Sequence, residues 1–377
     1  WDDHDRSNRY SARDFGANYL KSCDDEAIIF CNGDNDTFPL WYNIEVEEER
    51  NDVRACNLSY LQTDWYISQM KRPYYNSPGL PISWDEEDYI SGKNEIVWVE
   101  NRLNAPLEVK KAFQFLHSTD PRTKRDGEGY IPSDQLFVFS PDSQKIMLKK
   151  AKRFTRSEMM VMDMLSTNEW KRPMYFAVTI GNDYHLGLDP YLELTGMAYR
   201  ITPERSKDGR PRVNTEVMYD NMLHKFKYGN MNVPGIYIDE NTMRMCRTHR
   251  MMFVDLIEAL YNEGQHDKCL EVLDFAEQVL PGYNIPYDYT SATMAAYYYQ
   301  LGEMDKANAI MTKVADTCAE YLAWGASLPK EQRASSQSTL GHQMAIFGYV
   351  LQNFERFEQK EQFNRYYDIY VQYASVR

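Results

Sequence analysis

Short apolar runs separated by polar turns fill the first two hundred residues, and a helix-only pattern takes over near residue 242. The run at 27–31 (AIIFC) has the length of a buried strand and breaks sharply at Asn32-Gly33 into the acidic loop Asp34-Asn35-Asp36-Thr37. A helix is predicted from there through Trp41 and Ile44, with Pro39 in its first turn and Asp36 or Thr37 capping it. A second apolar run follows at 53–58, and so short a crossover predicts two parallel strands. Further helices are predicted at 7–21, after Thr63-Asp64-Trp65, at 107–117 and at 157–170. Strands are predicted at 95–99, 136–140, 146–148, 173–180 and 197–201. Such alternation predicts an α/β layered domain with a mainly parallel sheet over 1–205. In such sheets ligands bind beyond the carboxyl ends of the strands, where GDNDT falls.

Residues 206–241 are polar or rich in Gly, Asn and Pro, and read as a junction. Beyond it, YNEGQHDKCLEVL at 261–273 aligns with YQLGEMDKANAIM at 299–311, matching Gly264 to Gly302 and Asp267 to Asp305. This self-similarity resembles tetratricopeptide repeats, which predicts an all-α repeat domain over 242–377 whose groove holds a peptide or protein. A third pair of helices, near 337–354 and 360–373, lacks the turn glycine and reads as a capping hairpin.

The chain has 377 residues, 43% of them hydrophobic, which is ample for two or three packed cores. Its net charge of −14 argues against a nucleic-acid partner, and the basic run at 149–156 is short enough to read as a solvated face. No apolar run approaches the roughly 18 residues that a membrane helix needs. Six cysteines form no CxxC pair, so a zinc site is not expected, and Cys31 and Cys56 read as buried free thiols. The patch Asp2, Asp3, His4, Asp5, Arg6 reads as a polar helix entrance rather than a metal cluster.

Asp34 and Asp36 lead the candidate chemistry. Two carboxylates at i and i+2 on a strand-to-helix loop would chelate a divalent cation or accept sugar hydroxyls, with Asn35 and Thr37 adding oxygens; the rival reading is that they only cap the helix. A phosphate cradle is disfavoured, since one glycine beside two acids repels an anion and no lysine follows. Asp64 and Trp65 should reach the same sheet edge, where with Trp41 and Tyr42 they would form an aromatic platform rimmed by acids, unless the tryptophans are core. No GxSxG elbow or HExxH pair is present, no catalytic residue is identifiable, and no cofactor is implied.

Four stretches carry a resemblance over 1–205: WDDHDRSNRYSARD; AIIFCNGDNDTFPLWY with RNDVRACNLSYLQTDWYISQM; and NEWKRPMYFAVTIGNDYHLGLDPYLELTGMAYRITP. Together they resemble the soluble C-terminal part of a bacterial membrane family grouped with the protein O-mannosyltransferase-like, lipid-sugar-dependent glycosyltransferases. The resemblance implies a missing multi-span N-terminal region that carries catalysis, and the chain's start at Trp1 fits a piece of something longer. It implies a periplasmic domain held at the inner membrane only through that region. It places the family's GDNDTF at 33–38 and TDWY at 63–66 without giving either a role. The expected function is recognition of glycan, acceptor protein or a partner. The alternatives are a metal-assisted hydrolase using Asp34 and Asp36, and a structural scaffold.

Overall fold

The computed structural model describes residues 6–374, so the patch Asp2, Asp3, His4, Asp5 lies outside the described residues. The chain divides into two compact units, one spanning Tyr10–Gly229 and the other holding Asn230 onward together with the described residues before Tyr10. The segment 206–241 read as a junction is thus shared between them. Within the first unit its strand Arg212–Val213 pairs with Leu192–Leu194, and the helix Thr215–Asp220 follows.

In the first unit, helix α1 (Ser11–Lys21) leads into strand β1 (Ile28–Cys31). Helix α2 (Asp34–Glu45) then connects β1 to strand β2 (Arg54–Asn57), and helix α3 is Asp64–Met70. After helices α4 (Val109–His117) and α5 (Arg156–Asn168) come strands β3 (Met174–Ala177), β4 (Leu192–Leu194), β5 (Ala198–Ile201) and β6 (Arg212–Val213). These six strands form one sheet in the order β6-β4-β5-β3-β1-β2.

The first two apolar runs pair in parallel, Ile28 opposite Arg54 and Cys31 opposite Asn57, and β3 pairs in parallel on the other side of β1. All residues of β1, β2 and β3 are buried, including Arg54 and Asn57 at the two ends of β2, because both sheet faces are covered. The sheet is nevertheless mixed, correcting the mainly parallel expectation. Strand β5 runs antiparallel to both β3 and β4. Its link to β4 is only Thr195-Gly196-Met197, far too short for a crossover, so a hairpin is the one geometry available. Smaller ladders form outside this sheet, among them Leu107–Glu108 with Leu136–Phe139 and Ile96–Trp98 with Arg153–Thr155.

The second unit is helical from residue 240 on: α6 (Glu240–Asn262), α7 (His266–Val279), α8 (Tyr289–Gln300), α9 (Met304–Ser327), α10 (Lys330–Ser335), α11 (Gln337–Arg356) and α12 (Lys360–Ala374). Helices α6 with α7, α8 with α9 and α11 with α12 pack as hairpins. The first two turn at Gly264 and Gly302, whose φ of +74° and +87° explain the glycines. The third turns at Glu358, an exposed residue held at φ +56°. Glu358→Gly is expected to raise stability by about 0.5–1 kcal/mol, because a side chain in that region is strained. A lower urea midpoint in the variant would refute this.

Among the described residues no helix is long and apolar enough to cross a membrane. All six cysteines are buried and unpaired, and burial pushes the Cys31 thiol up to about 12.

Candidate functional site at the carboxyl edge of the sheet

Strand β1 lies between β2 and β3, its parallel neighbours, and the chain leaves β1 toward β2 through α2. The crevice beyond β1 and β3 is therefore a topological switch point, the place where open α/β sheets bind ligands. The break after β1 is made by Gly33, whose φ of +82° and ψ of +167° suit glycine alone. Helix α2 starts immediately at Asp34. Pro39 thus lies inside the helix rather than in its first turn, and no side chain caps the start, contrary to the sequence reading.

Asp36 is half-buried at this crevice. Its carboxylate accepts the Thr179 hydroxyl at 2.5 Å, from the loop after β3, and the backbone N–H of Asn32. Burial raises the Asp36 pKa, and those two hydrogen bonds only partly oppose it. Tyr19 of α1 is buried beside them, bonded to Thr179, and its phenol is pushed up by burial and then by the Asp36 charge. Asp34 and Asn35 are exposed, and neither makes a side-chain hydrogen bond within the described residues.

Thr37 is wholly buried and its hydroxyl is occupied. It donates to the Gly33 carbonyl at 2.8 Å, receives Asn57 Nδ2 at 2.7 Å and lies 3.3 Å from Cys31 Sγ. It locks the turn to β1 and β2. Asp64 is likewise engaged, accepting the backbone N–H of Trp65 at 2.7 Å and of Ser91 at 3.1 Å.

The tryptophans meet through a residue that the sequence reading passed over. Tyr60, in the 3₁₀ turn after β2, lies 6.1 Å from Trp41 in a near-parallel stack and 6.0 Å from Trp65. Phe38 adds a fourth ring 5.9 Å from Trp41. Phe38 and Trp65 are 51% and 55% exposed, so the strip Phe38-Trp41-Tyr60-Trp65 is not core. Ser59 ties its two ends of chain together by donating to Asn32 Oδ1 at 2.6 Å. Tyr42 takes no part: its hydroxyl donates to Glu47.

Two signals for the missed residues were present. Thr179 lies near the carboxyl end of the strongest strand pattern, so parallel pairing with β1 sends it to the Asp36 edge. Tyr60 sits five residues before Trp65 at the end of β2. Chemically, a strip of exposed rings flanked by free carboxylate and amide oxygens suits a ligand with apolar C–H faces and hydroxyl donors. Among the described residues no group of three or more His, Cys, Asp and Glu side chains is placed to hold a metal ion.

No curated protein matches the chain at a significant level. The same holds for solved structures. A family model described as TMEM260-associated domain 2 matches residues 12–149 and 140–220, which is more than half of the sequence and falls within the first unit. The chain belongs to the TMEM260-associated domain 2 family.

Proposed function

We propose that this chain is the extracytoplasmic recognition region of a membrane-bound glycosyltransferase-like protein, and that the aromatic strip on its α/β unit binds glycan. The observation that carries the reading is the continuous strip Phe38-Trp41-Tyr60-Trp65 beside Asp34 and Asp36. Pyranose C–H faces stack on aromatic rings, while hydroxyls donate to the Asp34 carboxylate, which has no partner among the described residues, and to the lone pairs that Thr179 and Asn32 leave on Asp36. The family supports it from another side, since TMEM260 is O-mannosyltransferase-like. In this reading a segment outside the chain anchors it at the periplasmic face of the inner membrane and carries catalysis. The helix hairpins act as tetratricopeptide-like repeats whose groove holds acceptor peptide or a partner protein.

Titration calorimetry with mannose- and glucose-terminated oligosaccharides tests the strip. Saturable binding to the wild type, weakened about tenfold or more in Trp41→Ala and in Asp36→Ala, is the expected result, since each change removes about 1.4 kcal/mol or more of contact. Identical heats for the wild type and both variants would dismiss the site.

A further inference from the structure

A cavity of about 210 Å³ opens at the outer edge of the sheet, where β2 has no neighbouring strand. Its apolar walls are Trp41 and Ile44 of α2, Met70 of α3 and Tyr74, and its polar lining includes Arg54 and Gln69. We propose that this cavity takes a carboxylate-bearing sugar of the hexuronate class.

Arg54 carries the argument. It is only 4% exposed, yet no carboxylate lies within ion-pairing distance of it among the described residues. Its Nη2 donates to the carbonyls of Gln69 and Arg72, each at 3.2 Å, and Nε faces Met70 Sδ at 3.5 Å. Nη1 is buried with no partner. The Tyr74 ring lies 5.3 Å from the guanidinium carbon, which offers a cation–π contact but no negative charge. A buried cation with no carboxylate bonded to it is costly, since Glu45 acts on it only through space, and the N–H groups of Nη1, the donors that the fold leaves unused, would be answered by the oxygens of a carboxylate.

Other features narrow the class from any carboxylate to an acidic sugar. Glu45 also lines the cavity, and it already accepts the hydroxyls of Tyr74 and Tyr75 at 2.9 Å each. Its negative charge disfavours a phosphate dianion. Gln69 has an exposed side-chain amide with no hydrogen-bond partner, suited to a hydroxyl-bearing ligand. Trp41 is shared with the aromatic strip, so a sugar chain lying on the strip would bring one residue to the mouth. The volume, below the roughly 300 Å³ of a typical drug-sized site, fits one sugar rather than two.

The sugar identity rests on the glycan reading of the strip, whereas the acid-binding role of Arg54 does not. The experiment titrates sodium D-glucuronate and, separately, D-glucose against the wild-type chain, Arg54→Met, Arg54→Lys, Gln69→Leu and Trp98→Ala, with a melting curve for each. Saturable glucuronate binding is expected, at least about tenfold tighter than glucose. Arg54→Met should lose it by a similar factor, Arg54→Lys less, and Gln69→Leu severalfold. Trp98→Ala, an exposed ring outside both the strip and the cavity, should leave it intact. Should Arg54→Met not fold, the lysine variant and the exposed Gln69→Leu still decide. No glucuronate binding, equal binding of the two sugars, or undiminished binding in the Arg54 variants would overturn the proposal. If oligosaccharides bind and glucuronate does not, the cavity fails alone. If glucuronate binds through Arg54 and oligosaccharides do not, the strip reading fails and the cavity stands.

Discussion

Arg250→Met is expected to destabilise the helical unit by about 3–5 kcal/mol. Arg250 lies in α6, is 1% exposed, and reaches the segment that joins the first helix hairpin to the second. Its Nη1 donates to the Pro286 carbonyl at 3.1 Å, and its Nη2 to the carbonyls of Leu280 and Ile285 at 3.0 Å each. The loop thereby finds partners for three carbonyls that its irregular backbone cannot pair. Methionine fills a similar volume and packs well, so the cost would come from the orphaned acceptors rather than from a void. Arg250→Lys should recover only part of the loss, because an ammonium cannot reproduce the planar fork. Urea unfolding of the full chain, followed by far-UV circular dichroism to report helix, measures both variants. A methionine variant within about 1 kcal/mol of the wild type would show that the carbonyls find other partners.

The same device recurs in the α/β unit. Arg156 is buried and donates to the carbonyls of Gln62, Ile90 and Lys93. Arg50 gathers those of Leu20, Cys23 and Asp24. Arg172 gathers Glu26, Pro78 and Gly79. Long irregular connections around a small sheet leave many acceptors unpaired, and a guanidinium with five donors is the side chain that satisfies several at once. Arg156 also leaves its Nε without a partner, but Arg54 leaves a whole Nη1 group unused and lines a cavity.

What the sequence disclosed followed from local physics. The β1–α2–β2 unit was legible because the runs at 27–31 and 53–58, with Gly33 and a short helix between them, leave one topology. The helix hairpins were legible because Gly264 and Gly302 mark positive φ at equal places in two copies. The third hairpin was legible from apolar spacing at 337–354 and 360–373 although its turn carries Glu358 in place of glycine. The antiparallel side of the sheet was not legible from apolar content, because β5 reads the same whichever way its neighbour runs. For the candidate site, the sequence put Asp34, Asp36, Trp41 and Trp65 at one edge. It did not show that the Thr37 hydroxyl and both Asp64 oxygens are already engaged, nor that Tyr60 joins the two tryptophans. Those facts depend on partners that only the fold brings together. The Arg54 cavity was hidden for the same reason: its walls come from α2, β2, α3 and Tyr74, separated along the chain by irregular turns.

Replacing Asp163 by asparagine is expected to remove about 3 kcal/mol of pH dependence from the stability of the α/β unit between pH 4 and pH 7.5. Asp163 lies in α5, 2% exposed, and holds the extended segment before the short helix Glu86–Tyr89 by accepting the Ser83 backbone N–H and the Ser83 hydroxyl, both at 2.6 Å. Burial pushes its carboxyl from 3.8 up to about 6, with the Ser83 hydrogen bonds and the nearby Lys71 charge opposing. Below about pH 3.8 both folded and unfolded chains are protonated there, and the site adds no slope. Between 3.8 and 6 the folded chain keeps a proton that the unfolded chain has released, so stability from this group falls as pH rises, and above 6 the whole cost of a buried charge is in place. Asparagine keeps the acceptor for the Ser83 N–H, and the Ser83 hydroxyl can turn to accept from its amide, so the packing survives while the titration is lost. Urea unfolding monitored by tryptophan fluorescence, with the buried Trp84 adjacent to Ser83 as the local reporter, should show the wild type losing ground to Asp163→Asn steadily from pH 4 to pH 7. Carboxylates elsewhere with lowered pKa values, such as Asp52 and Asp239, titrate equally in both proteins and cancel in the difference. Parallel curves for the two proteins across that range would mean that Asp163 titrates as an ordinary carboxylate and that its burial is relieved by opening of the Ser83 segment.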